Sequence, residues 1–407
     1  MKTVWVLDHY ARPRHQQLAE LNSGRYKTIR FMSAFIHNNP SVDVNKTEVQ
    51  HHYYGQVIRV RTLGYRRNDW RRSLNMVSYA VQVLLRAFRK PAPHVVVASC
   101  PHTFALAAGM LVAKLRRARF VIEVRDFWPR VLVELGGLQE ESLTTRLLYR
   151  LERWCYSASD GVIFVMPQGH LYLQELGINK PTTVIPNAIP RDLATETKQT
   201  VVPEAARYSF VAVYTGLMGA ATNVDVILDA AAILSERRPG HFGFLLYGQG
   251  SEKDIIEDKL AAMNLDNVHI MKPVTQRELL AILRANADAT IFTAKALDVF
   301  RYGVSPNKIT DYLAAAKPIV YSCESSNDVV QQAECGISVP PGDPVAMSAA
   351  LEELADTPYR QRHAMGQRGY EYLKKNYIME DQAKAFGDFI ERISEGVWDE
   401  KQLAKQD

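Results

Sequence analysis

The sequence predicts an α/β protein made of two doubly wound domains, and three observations carry that prediction. At 407 residues the chain exceeds one comfortable core, so two domains of about 200 residues each are expected. Short apolar runs alternate with amphipathic stretches in both halves, the pattern of strand and covering helix in a parallel sheet. At the midpoint Ile185-Pro-Asn-Ala-Ile-Pro190 punctuates the chain, and a polar stretch to Pro203 reads as a linker.

In the first half, Val4–Leu7, Val57–Arg61, Val95–Ala98, Phe120–Glu123, Gly161–Val165 and Thr183–Ile185 read as strands. Arg25–His37, Ser73–Arg89, Thr103–Leu115 and Thr144–Ala158 read as the helices over them. The pattern restarts at Phe210–Tyr214, which runs into the turn Thr215-Gly-Leu-Met-Gly219, and Thr222 with Asp225 suggests a helix start. Gly243–Tyr247 turns at Gly248-Gln-Gly250 into a helix carrying Lys253; Val268–Met271, Ala289–Phe292 and Ile319–Tyr321 complete the second sheet. Thr275-Gln-Arg-Glu278 is a capping box, and the chain from Pro344 to about Ser394 reads as helical. The expected division is 1–188, 189–380, and a helix and tail at 381–407 that returns to the first domain.

Composition is that of a soluble globular chain. Phe104–Ala113, the longest apolar run, is too short for a membrane span, which takes about 20 residues. An acidic residue and His9 come too early for a secretory signal, so the start reads as a buried strand in a cytoplasmic protein. Cys100, Cys155, Cys323 and Cys335 lack paired spacing and read as reduced core residues. Net charge is only +5, but between positions 59 and 90 Arg59, Arg61, Arg66, Arg67, Arg71, Arg72, Arg86, Arg89 and Lys90 meet only Asp69. Apolar residues interleave with them at helical spacing. A solvated helix packed by one face accounts for this; so does peripheral contact with an anionic membrane. No nucleic-acid module accompanies the patch.

The stretch from Tyr302 to Val320 concentrates the chemistry. Ser305 reads as an N-cap followed by Pro306, so a helix opens at Asn307 and Lys308 with its positive dipole end and one full charge aimed at an anion. Asp311, three residues on, shares the face of Lys308. A cation at a phosphate site with an acceptor for hydroxyls suits a nucleotide-sugar.

Tyr214-Thr-Gly-Leu-Met-Gly219, Leu246-Tyr-Gly-Gln-Gly-Ser251, Val184-Ile-Pro-Asn-Ala188 and the Tyr302 stretch resemble the ordered motifs of glycosyltransferase family 4, with its GT-B fold of two Rossmann-like domains facing each other across a cleft. Phe120-Val-Ile-Glu-Val-Arg-Asp-Phe-Trp-Pro129 and Leu151-Glu-Arg153 resemble its bacterial O-antigen and capsule subgroup. The resemblance implies retaining transfer from a nucleotide-diphosphate-sugar, with uridine as the expected base, to a polyprenyl-diphosphate-linked saccharide. It implies donor contacts at Gly216, Gly219, Asn223, Gly248, Ser305, Asn307, Lys308 and Asp311. Lys308 would neutralise the leaving diphosphate, and Asp311 would hold the ribose hydroxyls in place of the family's second motif glutamate. Asp126 is the expected polar contact at the acceptor hydroxyl, and Arg25 the expected ligand of an acceptor phosphate.

Two departures stand out. Position 303, where the family carries a further glutamate, is glycine, so that contact falls to Asp298 or Tyr302. The basic pair after the first glycine turn is absent; Leu217 and Asn223 occupy that region, with Lys253 or Arg301 as reserve. His9, His15 and His102 lie near strand ends without metal-ligand spacing, and there is no Asp-x-Asp pair, so transfer without metal or other cofactor is expected. An epimerase on the same scaffold and a non-catalytic nucleotide-sugar-binding subunit remain the competing functions.

Overall fold

The computed structural model describes residues 1–35, 46–65, 70–100 and 102–397. The chain divides into two compact units, one of Met1–Pro186 with Met379–Asp407, the other of Asn187–Ile378.

The first unit runs β1 (Lys2–Leu7), α1 (Pro13–Leu21), β2 (Tyr26–Ser33), β3 (Glu48–His52), β4 (Gly55–Val60), α2 (Trp70–Arg86), β5 (Val95–Cys100), α3 (Thr103–Arg116), β6 (Arg119–Val124), α4 (Arg130–Glu134), α5 (Leu143–Ala158), β7 (Gly161–Phe164), α6 (Gly169–Glu175) and β8 (Thr182–Val184). Its strands order as β3-β4-β2-β1-β5-β6-β7-β8. All neighbours are parallel except β3 and β4, whose two-residue hairpin makes them antiparallel. The central strands are apolar on both faces because helices cover both sides: every residue from Val95 to Ala98 is fully buried.

The segment expected to be a helix over 25–37 is β2, paired in parallel with β1 and β4. Tyr26, Thr28, Ile29 and Phe31 are β-formers, and burial on both faces gave an apolar run whose spacing mimics a helix. Positions 36 and 37 lie outside the described residues. The helix belongs one element earlier, at α1, which Pro13 opens at its first turn.

The second unit continues with α7 (Arg191–Thr195), β9 (Phe210–Leu217), α8 (Asp225–Arg237), β10 (Phe242–Gln249), α9 (Lys253–Met263), β11 (Val268–Met271), α10 (Gln276–Asn286), β12 (Ala289–Thr293), α11 (Asn307–Ala314), β13 (Ile319–Ser322), α12 (Val329–Ala333), β14 (Gly336–Val339), α13 (Pro344–Asp356) and α14 (Tyr359–Asn376). Its strand order is β11-β10-β9-β12-β13-β14, all parallel, and the direction of winding reverses between β9 and β12. Thr275 and Glu278 form the expected reciprocal capping box at α10. Two apolar layers pack on its sheet, one around Val213, Tyr312 and Leu313, the other around Tyr214, Ile227 and Leu351.

The last described helix, α15 (Met379–Glu395), belongs to the first unit. Asn22 donates from Nδ2 to the Ala383 carbonyl at 2.9 Å, and Phe389 and Ile393 close on Gly161, where any side chain would collide with them.

Candidate functional site

In an open parallel sheet the carboxyl ends of strands at the winding reversal present loop backbone and helix N-termini to a ligand. In the second unit those are the ends of β9 and β12, followed by α11. Lys308, in the first turn of α11, extends back over the end of β9: its Nζ lies 3.0 Å from the Tyr214 hydroxyl and 4.4 Å from the centre of that ring. Gly216, at φ +119°, lets the backbone turn directly beneath it, and a Cβ there would meet Lys308 Cε at 2.8 Å. No carboxylate faces the ammonium among the described residues, and burial lowers its pKa to about 7. A desolvated lysine without a counter-ion, beside a glycine turn and at a helix N-terminus, is a seat for an anion.

Asp311 lies one turn further along α11 and is buried. Gln276, at the start of α10, donates to its Oδ1 at 2.7 Å, and burial pushes the carboxyl up to about 7 against that hydrogen bond. Sequence reasoning missed Gln276; the capping box before it was the only local signal. Gly248 packs where a side chain would meet the Gly216 carbonyl, and Gly219 is closed into its turn by the Thr222 hydroxyl, which donates to the Gly219 carbonyl at 2.8 Å. Thr222 does not cap the helix: α8 begins at Asp225 with Val224 at the capping position, and Asn223 between them sits in the left-handed region at φ +51°.

Ser305 does not cap α11. Pro306 holds the capping position in extended conformation, and the Ser305 hydroxyl accepts from the Asn187 N–H at 2.8 Å, fastening the segment that follows β8. Asn307 is exposed at the helix start. Lys253 is bridged to Glu257 one turn along α9, and Arg301 to Asp298 at 2.9 Å. Gly303 adopts φ +92°, which explains the missing glutamate: the turn into α11 takes a backbone conformation that a side chain strains.

In the first unit the carboxyl ends of β1, β5 and β6 hold a buried polar cluster. His15 bridges two carboxylates, Asp8 at 3.1 Å from Nδ1 and Glu123 at 2.6 Å from Nε2. Burial alone would lower its pKa, but Glu123 and Asp8 together raise it. Burial would likewise raise Asp8, yet His15, Arg30 and Arg125 bring it to about 2. Arg14 pairs with Glu123 at 3.0 Å and donates to the carbonyls of Ile185 and Pro186, tying the end of β8 to the cluster. His102 caps α3: its Nδ1 accepts from the Ala105 N–H, so its Nε2–H donates to His9 Nδ1 at 2.6 Å, and burial holds His9 near pKa 4. Glu123 inside an apolar strand was the readable signal for this network.

Asp126 follows β6 in an exposed position, with Arg125 and Arg12 as the charged groups that act on its carboxyl. Arg25 does not face the strand ends. It is bound to Glu391 and Asp388 of α15, which raise its pKa, so its role is to hold that helix. The reason is the helix-for-strand change at β2, which moves Arg25 to the opposite, amino end of a strand. Among the described residues no group of three or more His, Cys, Asp or Glu is placed to hold a metal ion.

Two family descriptions match the chain: a glycosyl transferase 4-like domain over residues 40–188, and glycosyl transferases group 1 over residues 209–357. The chain belongs to the family 4 glycosyltransferases. This glycosyltransferase is 24% identical over 255 residues to the probable glycosyltransferase WbjE of Pseudomonas aeruginosa, covering 58% of the chain and 60% of that relative's length. Its fold is GT-B. The structure of Anabaena Alr3699/HepE in complex with UDP and glucose matches with TM-score 0.69 at 13% identity, over 96% of this chain and all of that one. WaaG, a glycosyltransferase involved in lipopolysaccharide biosynthesis, matches with TM-score 0.67 at 14% identity, over 95% and 99%.

Proposed function

We propose that this glycosyltransferase moves a hexosyl or N-acetylhexosaminyl unit, with retention, from a UDP-linked donor to a lipid-linked saccharide of a bacterial surface polysaccharide. The observation that carries the reading is Lys308, desolvated and without a carboxylate partner, over the Gly216 turn at the start of α11. A departing diphosphate supplies the charge that this lysine lacks, and stabilising a leaving group is where such a cation contributes most. Asp311 serves the ribose hydroxyls. Asp126, exposed after β6, serves the acceptor, and the leaving phosphate itself takes the acceptor proton on the front side, without a metal. The UDP in HepE and the pathway of WaaG are consistent with this donor and setting.

A membrane-bound acceptor is supported by α2. Its inner face buries Met76, Tyr79 and Val83, while Trp70, Leu74, Val77, Val81 and Leu85, with Phe88 beyond the helix end, form a second apolar stripe open to solvent. Spacings of 3 and 4 residues keep that stripe on one side of the helix. Arg71 lies over the Trp70 ring and Arg116 over Phe88. A helix that is apolar on both faces and flanked by arginine suits the interface of the anionic inner leaflet. Arg66, Arg67 and Asp69 of the same basic stretch lie outside the described residues. No helix of the described residues is long and apolar enough to cross a membrane.

A thermal-shift panel of nucleotide sugars tests the donor: the matching compound at 100 times its dissociation constant adds about 2.7 kcal/mol. Transfer is then assayed with a polyprenyl-linked and with a free saccharide. Turnover only on the free saccharide removes the lipid from the reading. Donor binding without transfer to either favours a non-catalytic subunit, the second reading that Gly303 encourages.

A further inference from the structure

The first unit contains a cavity of about 330 Å³ that the transfer reading does not use. It lies on the face of β2, β4 and β3 that α1 leaves partly open. Strand register accounts for its lining. Arg30 and Met32 on β2 stand beside Val57 and Arg59 on β4, and Gln50 on β3 stands beside Val57, so alternate residues of three adjacent strands project to one side. Val57, Met32, Tyr54 and Ala19 pack into an apolar base.

The polar side of this cavity is cationic. Arg30 is 2% exposed; its Nη2 serves Asp8 at 2.9 Å and the Arg12 carbonyl, and its guanidinium is also hydrogen-bonded to the Tyr54 side chain. The Arg59 Nε–H is buried with no partner, and Arg59 makes no ion pair among the described residues. The lining includes no aspartate or glutamate among the described residues. Glu48, the cross-strand neighbour of Arg59, accepts from Gln50 at 2.7 Å and makes no ion pair with that arginine among the described residues, and Glu20 accepts from Gln16 at 2.9 Å. Two arginines share a lining that carries no carboxylate among the described residues, and a guanidinium fork is suited to an anionic oxygen. The stacked rings of His52 and Tyr54, with centroids 4.9 Å apart, add a flat wall, and the volume falls at the lower end of small-molecule sites.

We propose that this cavity is a second ligand site, which takes a sugar-sized acidic molecule and binds its phosphoryl or carboxylate oxygens through Arg30 and Arg59. It belongs to the first unit and is independent of the donor seat at Lys308.

Calorimetric titration of the full chain with inorganic phosphate, a hexose phosphate, a hexuronate and neutral glucose tests this, in wild type, Arg59→Met and Lys308→Ala. Arg59→Met keeps the aliphatic stem and removes the donor, whereas altering Arg30 would disturb Asp8. At least one acidic probe is expected to bind while glucose does not, with affinity falling tenfold or more in Arg59→Met and unchanged in Lys308→Ala. The phosphate and hexuronate arms separate the two sources of the anion. Absence of binding by every acidic probe overturns the proposal, as does binding that survives Arg59→Met. Loss only in Lys308→Ala assigns the anion to the donor seat and also overturns it. UDP binding by Arg59→Met, followed in parallel, shows that the variant is folded.

Discussion

Lys308 and Asp311 share one helical turn, and burial moves their pKa values toward each other, both to about 7. Each has a clear sign. The lowered Lys308 destabilises the free protein increasingly as pH falls from the ordinary lysine range through 7, because the native state resists the proton that the unfolded chain accepts. A bound diphosphate reverses this by holding the ammonium. UDP binding at pH 8 is therefore expected to take up close to one proton, measured by titration calorimetry in buffers of different ionisation enthalpy, and affinity should weaken as pH rises above 7. Proton-neutral binding would place the diphosphate elsewhere. Lys308→Ala and Asp126→Asn should each cut turnover at least tenfold, about 1.4 kcal/mol in barrier, with the melting temperature retained. Gly303→Glu restores the family's letter but not its chemistry. At φ +92° a glutamate is expected to cost about 1–3 kcal/mol and bring no gain in rate, read from melting and turnover together.

At the scale of elements, the sequence was readable where an element has one strong signal. The capping box of α10, the glycine turn after β9 and the apolar strands of both sheets were all visible. The errors came where two physical patterns coincide. A strand buried on both faces loses its alternation, so β2 read as a helix, and the nine-residue α1 carries too weak an amphipathic pattern to compete. The donor corner was legible because glycine and a helix start have local causes. The Asp8–His15–Glu123 cluster shows in the sequence only as a glutamate inside an apolar strand, because its partners come from the end of β1, from α1 and from β6 and only the sheet order brings them together. The motif Leu151-Glu-Arg153 gains a physical meaning from α5. Glu152 is buried there, its carboxylate accepts from the Tyr172 hydroxyl at 2.9 Å, and burial raises its pKa to about 8. A carboxyl raised in the folded state favours the native protein at low pH and loses that advantage as pH climbs from the ordinary glutamate range through 8. Glu152→Gln should remove a slope of about 1 kcal/mol per pH unit between pH 5.5 and 7.5, seen in the difference between variant and wild-type denaturation curves. Identical slopes would mean that the carboxyl ionises normally.

Across the whole molecule, the second unit is continuous in sequence and the first is not. Its sheet is built from the first 186 residues, yet α15 closes on it through Asn22, Arg25 and Gly161. A chain stopped at Ile378 should keep the second unit folded and weaken the first. Hydrogen exchange is expected to rise in α1 and at the start of β2 while β9 and β10 stay protected. Equal protection throughout would show that α15 is dispensable.

That arrangement has a consequence during synthesis. The ribosome releases the elements of Met1–Pro186 well before α15, so the early unit waits with one helix missing while all of Asn187–Ile378 emerges and folds. For that interval the apolar surface beneath Phe389 and Ile393 has no cover from α15. Substitutions in the last twenty described residues should therefore lower the yield of protein in the cell more than they lower the stability of molecules that have already folded.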